Sequence, residues 1–405
     1  MLSITVPTLP RAARPRPVRA LVLLCLVATA AAADPRPAPA ADPALQTLGR
    51  QLFFDGRLSA SGRQSCATCH DPRYAYGPRP GEGLAKGGPH LDRLGSRAVP
   101  SLRYLQEVPA FTLTHRFTDG DIGPAGGYTW DGRARSIAEQ ARLPLLDPDE
   151  MANRSAAEVA RRLNAAGYRT SFEAIFGPGV LGNPDRALAA ATEALAAFQR
   201  TPAEFYPYSS RYDAFLRGEL ELTDAEAQGV ELFKDPKKGN CASCHAVLTR
   251  AGVPPVFTDY DLLNIGVPRN PRIPANADPA HFDLGLCGPK RTDLAAERRY
   301  CGFFRAPSMR NTAIRAAYFH NGVYTTLDEV MHFYVERDRY PEKYYPRAAD
   351  GTVRKFDDLP PELVANIDHD APMDRPPGAE PALSDAEIAD LIAFLKTLTD
   401  ADVAR

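Results

Sequence analysis

Cys66-Ala67-Thr68-Cys69-His70 and Cys241-Ala242-Ser243-Cys244-His245 are two copies of one pattern, Cys-x-x-Cys-His. The pattern is the attachment signature of c-type haem: each thiol forms a thioether with a haem vinyl group, and the histidine binds iron from one face. Residues three apart share a face of a helical turn, so both sulfurs can reach one porphyrin edge. With only 7 Cys and 8 His among 405 residues, two copies are not accidental. The sequence therefore predicts two covalently bound haem c groups.

Two other interpretations of the cysteines are weaker. A zinc ribbon pairs Cys-x-x-Cys knuckles about 15–20 residues apart, whereas these motifs begin at residues 66 and 241. A thioredoxin-like redox pair needs no histidine and belongs to a βαβ context.

The N-terminus has the pattern of a secretory signal peptide. Residues 1–19 contain four arginines and no acidic residue, an apolar run begins at Ala20, and small residues follow up to Ala33. The run is too short to span a membrane, and no later stretch is apolar enough. We expect cleavage of residues 1–33, a disordered leader over 34–41 and a periplasmic protein without a membrane span. A retained N-terminal anchor is the alternative.

Two cysteines are left over once Cys25 leaves with the signal peptide and four others hold haem. Cys287 and Cys301 can form a disulfide in an oxidising compartment, and two free thiols are the alternative. The chain has a formal net charge of −2 and so lacks the excess of basic residues that is typical of nucleic-acid-binding proteins. No nucleic-acid partner is therefore expected.

The haem motifs recur within a longer frame. Gly49-x-x-Leu-Phe-x-Asp55 precedes the first motif and Gly229-x-x-Leu-Phe-x-Asp235 precedes the second. This repeat indicates a duplicated module in which a helix leads to a haem. Apolar periodicity and capping signatures predict further helices, which follow Ser155, span 185–200, follow Thr223 and follow Ser384.

Sustained strand alternation is absent, and 38 prolines mark long irregular segments. We therefore expect an all-α protein of two cytochrome c-like haem domains with long irregular loops. The first domain would span 42–205 and the second 206–405.

Four further segments carry a family resemblance. They are Trp130-Asp-Gly-Arg-Ala-Arg-Ser-Ile-Ala-Glu-Gln140, Asp147-Pro-Asp-Glu150-Met151, Arg305-Ala-Pro-Ser-Met-Arg-Asn311 and Tyr318-Phe-His320-Asn-Gly322. From about residue 45 to 398 the chain resembles the bacterial di-haem cytochrome c peroxidases and their MauG-type relatives.

The resemblance implies roles for the first haem and its surroundings. The haem on Cys66 and Cys69, with proximal His70, is similar to the peroxidatic haem that binds hydrogen peroxide. Glu150 matches the distal glutamate, Gln140 the neighbouring glutamine and Trp130 the tryptophan between the haems. From the residues alone, Trp130 could be a core side chain and Glu150 an ordinary helix-start acid, and Gln140 would signify nothing. Breaking the O–O bond, however, needs a group that moves a proton between the peroxide oxygens.

The second haem, on Cys241 and Cys244 with proximal His245, resembles the electron-entry haem. Its far-side ligand in the family lies fourteen residues after His320, at Tyr334. Peroxidases place methionine there and MauG places tyrosine, which favours higher iron oxidation states. Tyr334 could also be plain core, and three other side chains compete as ligands on spacing, namely Met309, Met331 and His332; Met331 is one helical turn away.

Two further matches are incomplete. His90 lies in the register of the histidine that caps the peroxidatic iron in resting peroxidases, and a simple loop histidine is the alternative. The family's calcium site uses an asparagine and a threonine, where this chain has Ala98 and Arg315. Calcium needs oxygen ligands, and neither of these side chains has an oxygen atom. The sequence therefore does not decide whether calcium binds, and the charge of Arg315 could replace that of the ion.

The resemblance implies a cytochrome-c peroxidase-type oxidoreductase with hydrogen peroxide as acceptor. Electrons would come from a small cytochrome c or a cupredoxin, or from a partner-protein side chain, as in a MauG-like maturase. A non-catalytic di-haem electron-transfer protein is the third possibility.

Overall fold

The computed structural model describes residues 42–117, 120–247 and 252–403. The predicted signal peptide (1–33) and leader (34–41) lie outside these described residues. Within the described ranges, no helix combines the length and apolar character needed to cross a membrane.

Helices are the longer elements of the described chain. They are α1 (Pro43–Phe54), α2 (Cys66–Cys69), α3 (Ile137–Leu146), α4 (Ala156–Ala165), α5 (Arg169–Phe176), α6 (Pro184–Phe198), α7 (Pro202–Phe205), α8 (Arg211–Leu216), α9 (Asp224–Lys234), α10 (Leu327–Glu336), α11 (Pro341–Tyr344) and α12 (Asp385–Thr397). The strands are β1 (Lys86–Gly87), β2 (Arg93–Leu94), β3 (Thr112–Arg116), β4 (Ile122–Ala125), β5 (Leu262–Leu263) and β6 (Phe304–Arg305).

Polar caps start the helices that the sequence predicts. Ser155 accepts a hydrogen bond from the backbone N–H of Glu158 at the start of α4. Thr223 and Ser384 each form a reciprocal capping box at the starts of α9 and α12, which satisfies N–H groups that the first helical turn leaves free. These helix predictions are confirmed, and α6 ends two residues earlier than expected.

The repeated frame places a glycine and a phenylalanine where two helices cross. A methyl group added at Gly49 would collide with the Ala194 carbonyl oxygen of α6, so only glycine lets α1 approach this closely. The Phe53 ring packs edge-on against Phe198, with 5.3 Å between ring centroids.

The second copy repeats this crossing. Gly229 of α9 faces the Asp390 carbonyl oxygen of α12, again with no room for a methyl group. Phe233 packs edge-on against Phe394 at 5.3 Å. The Gly-x-x-Leu-Phe pattern therefore allows two helices to pack closely against each other. In each copy, the haem motif follows the helix that carries this pattern.

The all-α prediction misses three short antiparallel sheets, which pair β1 with β2, β3 with β4, and β5 with β6. In the part of the chain that the structure describes, four of the six strands have only two residues, so no alternation could reveal them. The β3–β4 hairpin meets β5 through a bridge between Ala125 and Asp261. Helix content thus agrees with the prediction, whereas the absence of strands does not.

Two large clusters of buried apolar side chains organise the described residues. One draws on 48–205 and includes α1 and α6. The other draws on 212–398 and includes α9, α10 and α12. The division into domains at 205/206 stays a prediction.

Candidate functional site

The first haem motif is a single helical turn with the histidine at its end. The Ser65 backbone N–H donates to Thr68 Oγ1 at 2.9 Å, and the His70 N–H donates to the Cys66 carbonyl at 2.9 Å. These bonds hold Cys66 and Cys69 one turn apart. Both sulfurs and His70 line one cleft.

The His70 ring is oriented by a backbone carbonyl. Its Nδ1 lies 3.1 Å from the Tyr76 carbonyl oxygen, an acceptor, so Nδ1 carries the proton and Nε2 keeps its electron pair. Tyr76 is fully buried and adopts a left-handed φ of 54°, which aims this carbonyl at the ring. Burial lowers the pKa of His70 to about 4. A neutral imidazole with free Nε2 is the form that binds iron.

The second motif repeats this arrangement. His245 Nδ1 lies 3.2 Å from the carbonyl oxygen of Phe257, which also has a φ of 54°. Burial lowers the pKa of His245 to about 4. Cys241, Cys244 and His245 line a cavity of about 470 Å³, which is within the roughly 300–1,000 Å³ typical of ligand pockets.

Both sites fit a haem by their donor atoms, but their sizes differ. The first cleft measures about 40 Å³ and would have to widen around a porphyrin. Both sites contain buried polar atoms with no partner among the described residues, Gln64 Oε1 and Gln199 Oε1 in the first, and Asp261 Oδ1 and Arg315 Nε in the second. Because buried polar groups are normally satisfied, these atoms require partners that the described residues do not supply.

Glu150 and Gln140 both line the cleft that contains Cys66, Cys69 and His70. Glu150 is exposed there, yet the protein packed around it disfavours its charge, and Asp147 adds repulsion. The two effects raise its pKa to about 7, against the opposing pull of Lys290 and Arg133. A carboxyl group with this pKa can both accept and return a proton near neutral pH.

Trp130 lines the second cavity, and it is absent from the lining of the first cleft. Its Nε1 donates to the Ala98 carbonyl at 2.8 Å, and its own carbonyl accepts from the Arg305 N–H at 2.8 Å. The next residue, Asp131, is fully buried and paired with Arg97 at 2.7 Å. Trp130 is therefore fixed among segments from both halves of the chain.

Tyr334, Met331 and Met309 all line the second cavity, whereas His332 does not. His332 Nδ1 is instead 2.9 Å from the Asp328 carbonyl. Burial raises the pKa of Tyr334. Of the described residues, none forms a hydrogen bond with the Tyr334 hydroxyl, so its oxygen is available to a ligand.

Three other predicted residues line neither the first cleft nor the second cavity. His90 is exposed and does not line the cleft around His70. Cys287 and Cys301 form a disulfide with an S–S distance of 2.21 Å.

The duplication extends further than the sequence analysis recognised. Tyr128-x-Trp130-x-Gly132 and Tyr318-x-His320-x-Gly322 have the same shape: Tyr128 bridges to Ala134 and Tyr318 to Tyr324. The glycines share a φ of 64°. Trp130 and His320 are thus equivalent positions, a relation that the spacing of tyrosine and glycine could have revealed.

This equivalence identifies Pro144 as a functional position that sequence reasoning missed. Fourteen residues after Trp130 comes Pro144, and fourteen after His320 comes Tyr334. Pro144 lines the first cleft and Tyr334 the second cavity. A proline side chain has no electron pair to give a metal, whereas a tyrosine side chain has one. At these equivalent positions, only the second site therefore has a side chain that could be a second protein ligand.

Comparisons with known proteins agree with this geometry. A family profile described as "Di-haem cytochrome c peroxidase" matches residues 43–221. The chain is 40% identical over 395 residues to the methylamine utilization protein MauG of Paracoccus denitrificans, covering 94% of this chain and 96% of that one. It is 27% identical over 295 residues to the cytochrome c551 peroxidase of Nitrosomonas europaea, covering 70% of each. The crystal structure of the diheme peroxidase BthA from Burkholderia thailandensis superposes with a TM-score of 0.81 at 40% identity, covering 91% of this chain and 87% of that one.

Proposed function

Because this chain belongs to the family of di-haem cytochrome c peroxidases and MauG proteins, we propose that it reduces hydrogen peroxide to water at the first haem site. The protein is an oxidoreductase that carries two covalently attached c-type haems. Each peroxide would consume two electrons and two protons and yield two molecules of water.

The two motifs would hold the haems through the sulfurs of Cys66, Cys69, Cys241 and Cys244. His70 Nε2 and His245 Nε2 would bind the irons, since both Nδ1 atoms are engaged by backbone carbonyls. The haems supply the electron-transfer and O–O bond-breaking chemistry, while the protein supplies ligands, orientation and protons.

One observation carries this proposal: Glu150 lies in the same cleft as His70, and Pro144 stands there in place of a ligand. The carboxylate of Glu150 would take the proton from the nearer peroxide oxygen and return it to the departing one. Its pKa of about 7 suits both steps, since one side chain must act first as base and then as acid. Gln140, which lines the same cleft, would orient the peroxide by hydrogen bonding.

The second haem site would exchange electrons and not bind peroxide. Tyr334 lines it at the position equivalent to Pro144, and its phenolate oxygen would be the second protein ligand of that iron, with Met331 as the competing donor. A hard anionic ligand favours oxidised iron. Trp130 would lie on the electron-transfer path between the two sites. The prediction that His90 is a resting ligand of the first iron lacks support, because His90 does not line the cleft.

Tyr334 also favours a second candidate function. With a tyrosine ligand, the protein could spend its oxidising equivalents on a side chain of a partner protein, as the relatives named MauG suggest. In the first candidate, the donor is a small cytochrome c or a cupredoxin. A non-catalytic electron carrier is disfavoured by Glu150 and Pro144.

Two further proposals concern organisation and location. We place the haems in two cytochrome c-like domains, 42–205 and 206–405, because each range contains one motif and one of the large apolar clusters. We place the mature protein in the periplasm on the basis of the signal-peptide pattern.

Steady-state turnover tests the proposal. Peroxide and a reduced small cytochrome c should be consumed in a 1:2 ratio, and Glu150→Gln should lower kcat by roughly 10²–10⁴-fold. Glu193→Gln, on the exposed face of α6, is the matched control and should behave as wild type. Full turnover by Glu150→Gln would remove the proton-transfer assignment. Peroxide consumption without cytochrome oxidation would favour the maturase alternative.

A further inference from the structure

Buried arginines in this protein usually have carboxylate partners. Arg97 lies 2.7 Å from Asp131 and 2.6 Å from Asp283, and Arg310 lies 2.9 Å from Asp213. Such pairing is expected, because a buried charge without a counter-charge is strongly destabilising. These pairs raise the pKa of both arginines.

Arg305 and Arg315 depart from this rule. Within the described residues, neither forms an ion pair with a carboxylate. Arg305 Nη1 donates to the Gly127 carbonyl at 2.7 Å. Arg315 Nη2 donates to the Ser308 carbonyl at 3.3 Å, and its Nε has no partner. Burial lowers the pKa of both arginines; the attraction of Asp131 opposes this at Arg305 without offsetting it, and no carboxylate opposes it at Arg315.

Both guanidinium groups line the cavity that contains Cys241, Cys244 and His245. The charged or titratable groups that act on Arg315 are Tyr318 and Arg305, and neither is an anion at neutral pH. Arg315 in turn acts electrostatically on His245. Carboxyl groups also line this cavity, among them Asp259, Asp261 and Asp368, but none of them is an ion-pair partner of Arg315. Arg315 is therefore a buried, unpaired cation close to the proximal histidine.

A haem brings two carboxylates of its own, the propionates, on the edge away from its thioether bonds. We propose that Arg315, with Arg305 beside it, binds a propionate carboxylate of the second haem. The planar guanidinium donates in a fork that matches a carboxylate, and the free Nε–H of Arg315 is one of those donors. Arg315 is a positioning residue, since it acts on the potential of the iron through the propionate.

Two properties follow from this contact. The propionate would stay ionised well below neutral pH, because an adjacent cation favours its charged form. The cation would also offset the negative charge of the propionate and so make reduction of the iron easier. Neither property depends on peroxide turnover, only on the presence of the second haem.

Spectroelectrochemical titration of the holoprotein tests this contact. Arg315→Met removes the charge, Arg315→Lys keeps it, and Arg347→Met removes a charge from an exposed arginine that does not line the cavity. At a fixed solution potential, the ratio of reduced to oxidised second haem should fall roughly tenfold in Arg315→Met, equivalent to one pKa unit of lost interaction. The ratio should change little in the other two variants and for the first haem.

A pH series adds a second readout. In Arg315→Met the potential of the second haem should become pH-dependent between about pH 5 and 8, as the unpaired propionate titrates. The inference is overturned if Arg315→Met retains both haems and the potential of the second haem matches wild type at every pH.

If Arg315→Met does not retain the second haem, a measurement on the wild-type protein provides the test. Resonance Raman bands of the propionates, followed with pH, should show one propionate of the second haem that does not titrate in that range. Ordinary titration of both propionates would overturn the inference. Peroxide turnover, measured in parallel, fails or succeeds independently of these readouts.

Discussion

At the scale of single residues, the two haem sites are held alike and differ in what faces them. His70 and His245 are oriented by carbonyls from residues with the same left-handed backbone. Pro144 then faces one site and Tyr334 the other. The sequence predicts the covalent haem anchors because haem attachment itself requires the Cys-x-x-Cys-His spacing. No sequence pattern marks Pro144 until its equivalence to Tyr334 is recognised.

The protonation of Glu150 predicts a pH profile. As the proposed general base Glu150 must be ionised, so kcat/KM for peroxide should fall as pH drops through about 7, the pKa that the surrounding protein and the charge of Asp147 produce. Measurement of kcat/KM from about pH 5 to 9 checks this limb. A profile that is flat across neutrality would contradict the assignment.

The identity of the ligand at the second iron predicts contrasting spectra. Tyr334→Phe should change the absorption and EPR spectra of the oxidised second haem, because it removes an oxygen donor. Met331→Leu, one turn away on α10, should leave them as in wild type. If Met331→Leu changed the spectra and Tyr334→Phe did not, the ligand of the second iron would be Met331.

At the scale of elements, helix starts are predictable because each depends on a few adjacent residues, as with Thr223 and Glu226. The strands escaped prediction because two-residue pairs such as β5 with β6 are set by partners far along the chain. The residues of the first haem cleft could be grouped only through the family resemblance, because α2, α3 and the loop after Asp147 meet only in three dimensions.

The crossing of α9 and α12 predicts a stability effect. Gly229→Ala forces a methyl group against the Asp390 carbonyl and should lower the free energy of unfolding by roughly 1–3 kcal/mol. The neighbouring exposed residue offers the control Gln228→Ala, which should be nearly neutral. Thermal unfolding followed by circular dichroism measures both, and equal melting temperatures would contradict the close crossing.

At the scale of the whole molecule, buried polar contacts tie distant segments together. Asp400 accepts hydrogen bonds from Arg103 Nη1 at 2.8 Å, the Tyr104 hydroxyl at 2.6 Å and Asn311 Nδ2 at 2.7 Å. These residues follow the equivalent Pro-Ser segments at 100 and 307. One carboxylate therefore joins both modules to the last part of the described chain, which no local pattern predicts.

Removal of that carboxylate should weaken the whole fold. Asp400→Ala leaves buried donors unpaired and should cost roughly 3–5 kcal/mol of unfolding free energy, as broken buried ion pairs do. The exposed carboxylate of Asp402, which also pairs with Arg103, gives the control Asp402→Ala, with an expected loss of about 0–1 kcal/mol. Similar losses in both variants, measured by chemical denaturation, would contradict a central role for Asp400.

EPR spectroscopy of the fully oxidised protein, before and after addition of cyanide, tests the central claim most directly. We predict one high-spin ferric haem, at the site with Pro144, that becomes low-spin with cyanide. The signal of the second haem should not change with cyanide if Tyr334 is a ligand of its iron, as proposed. Two haems that both ignore cyanide, or both bind it, would contradict the account.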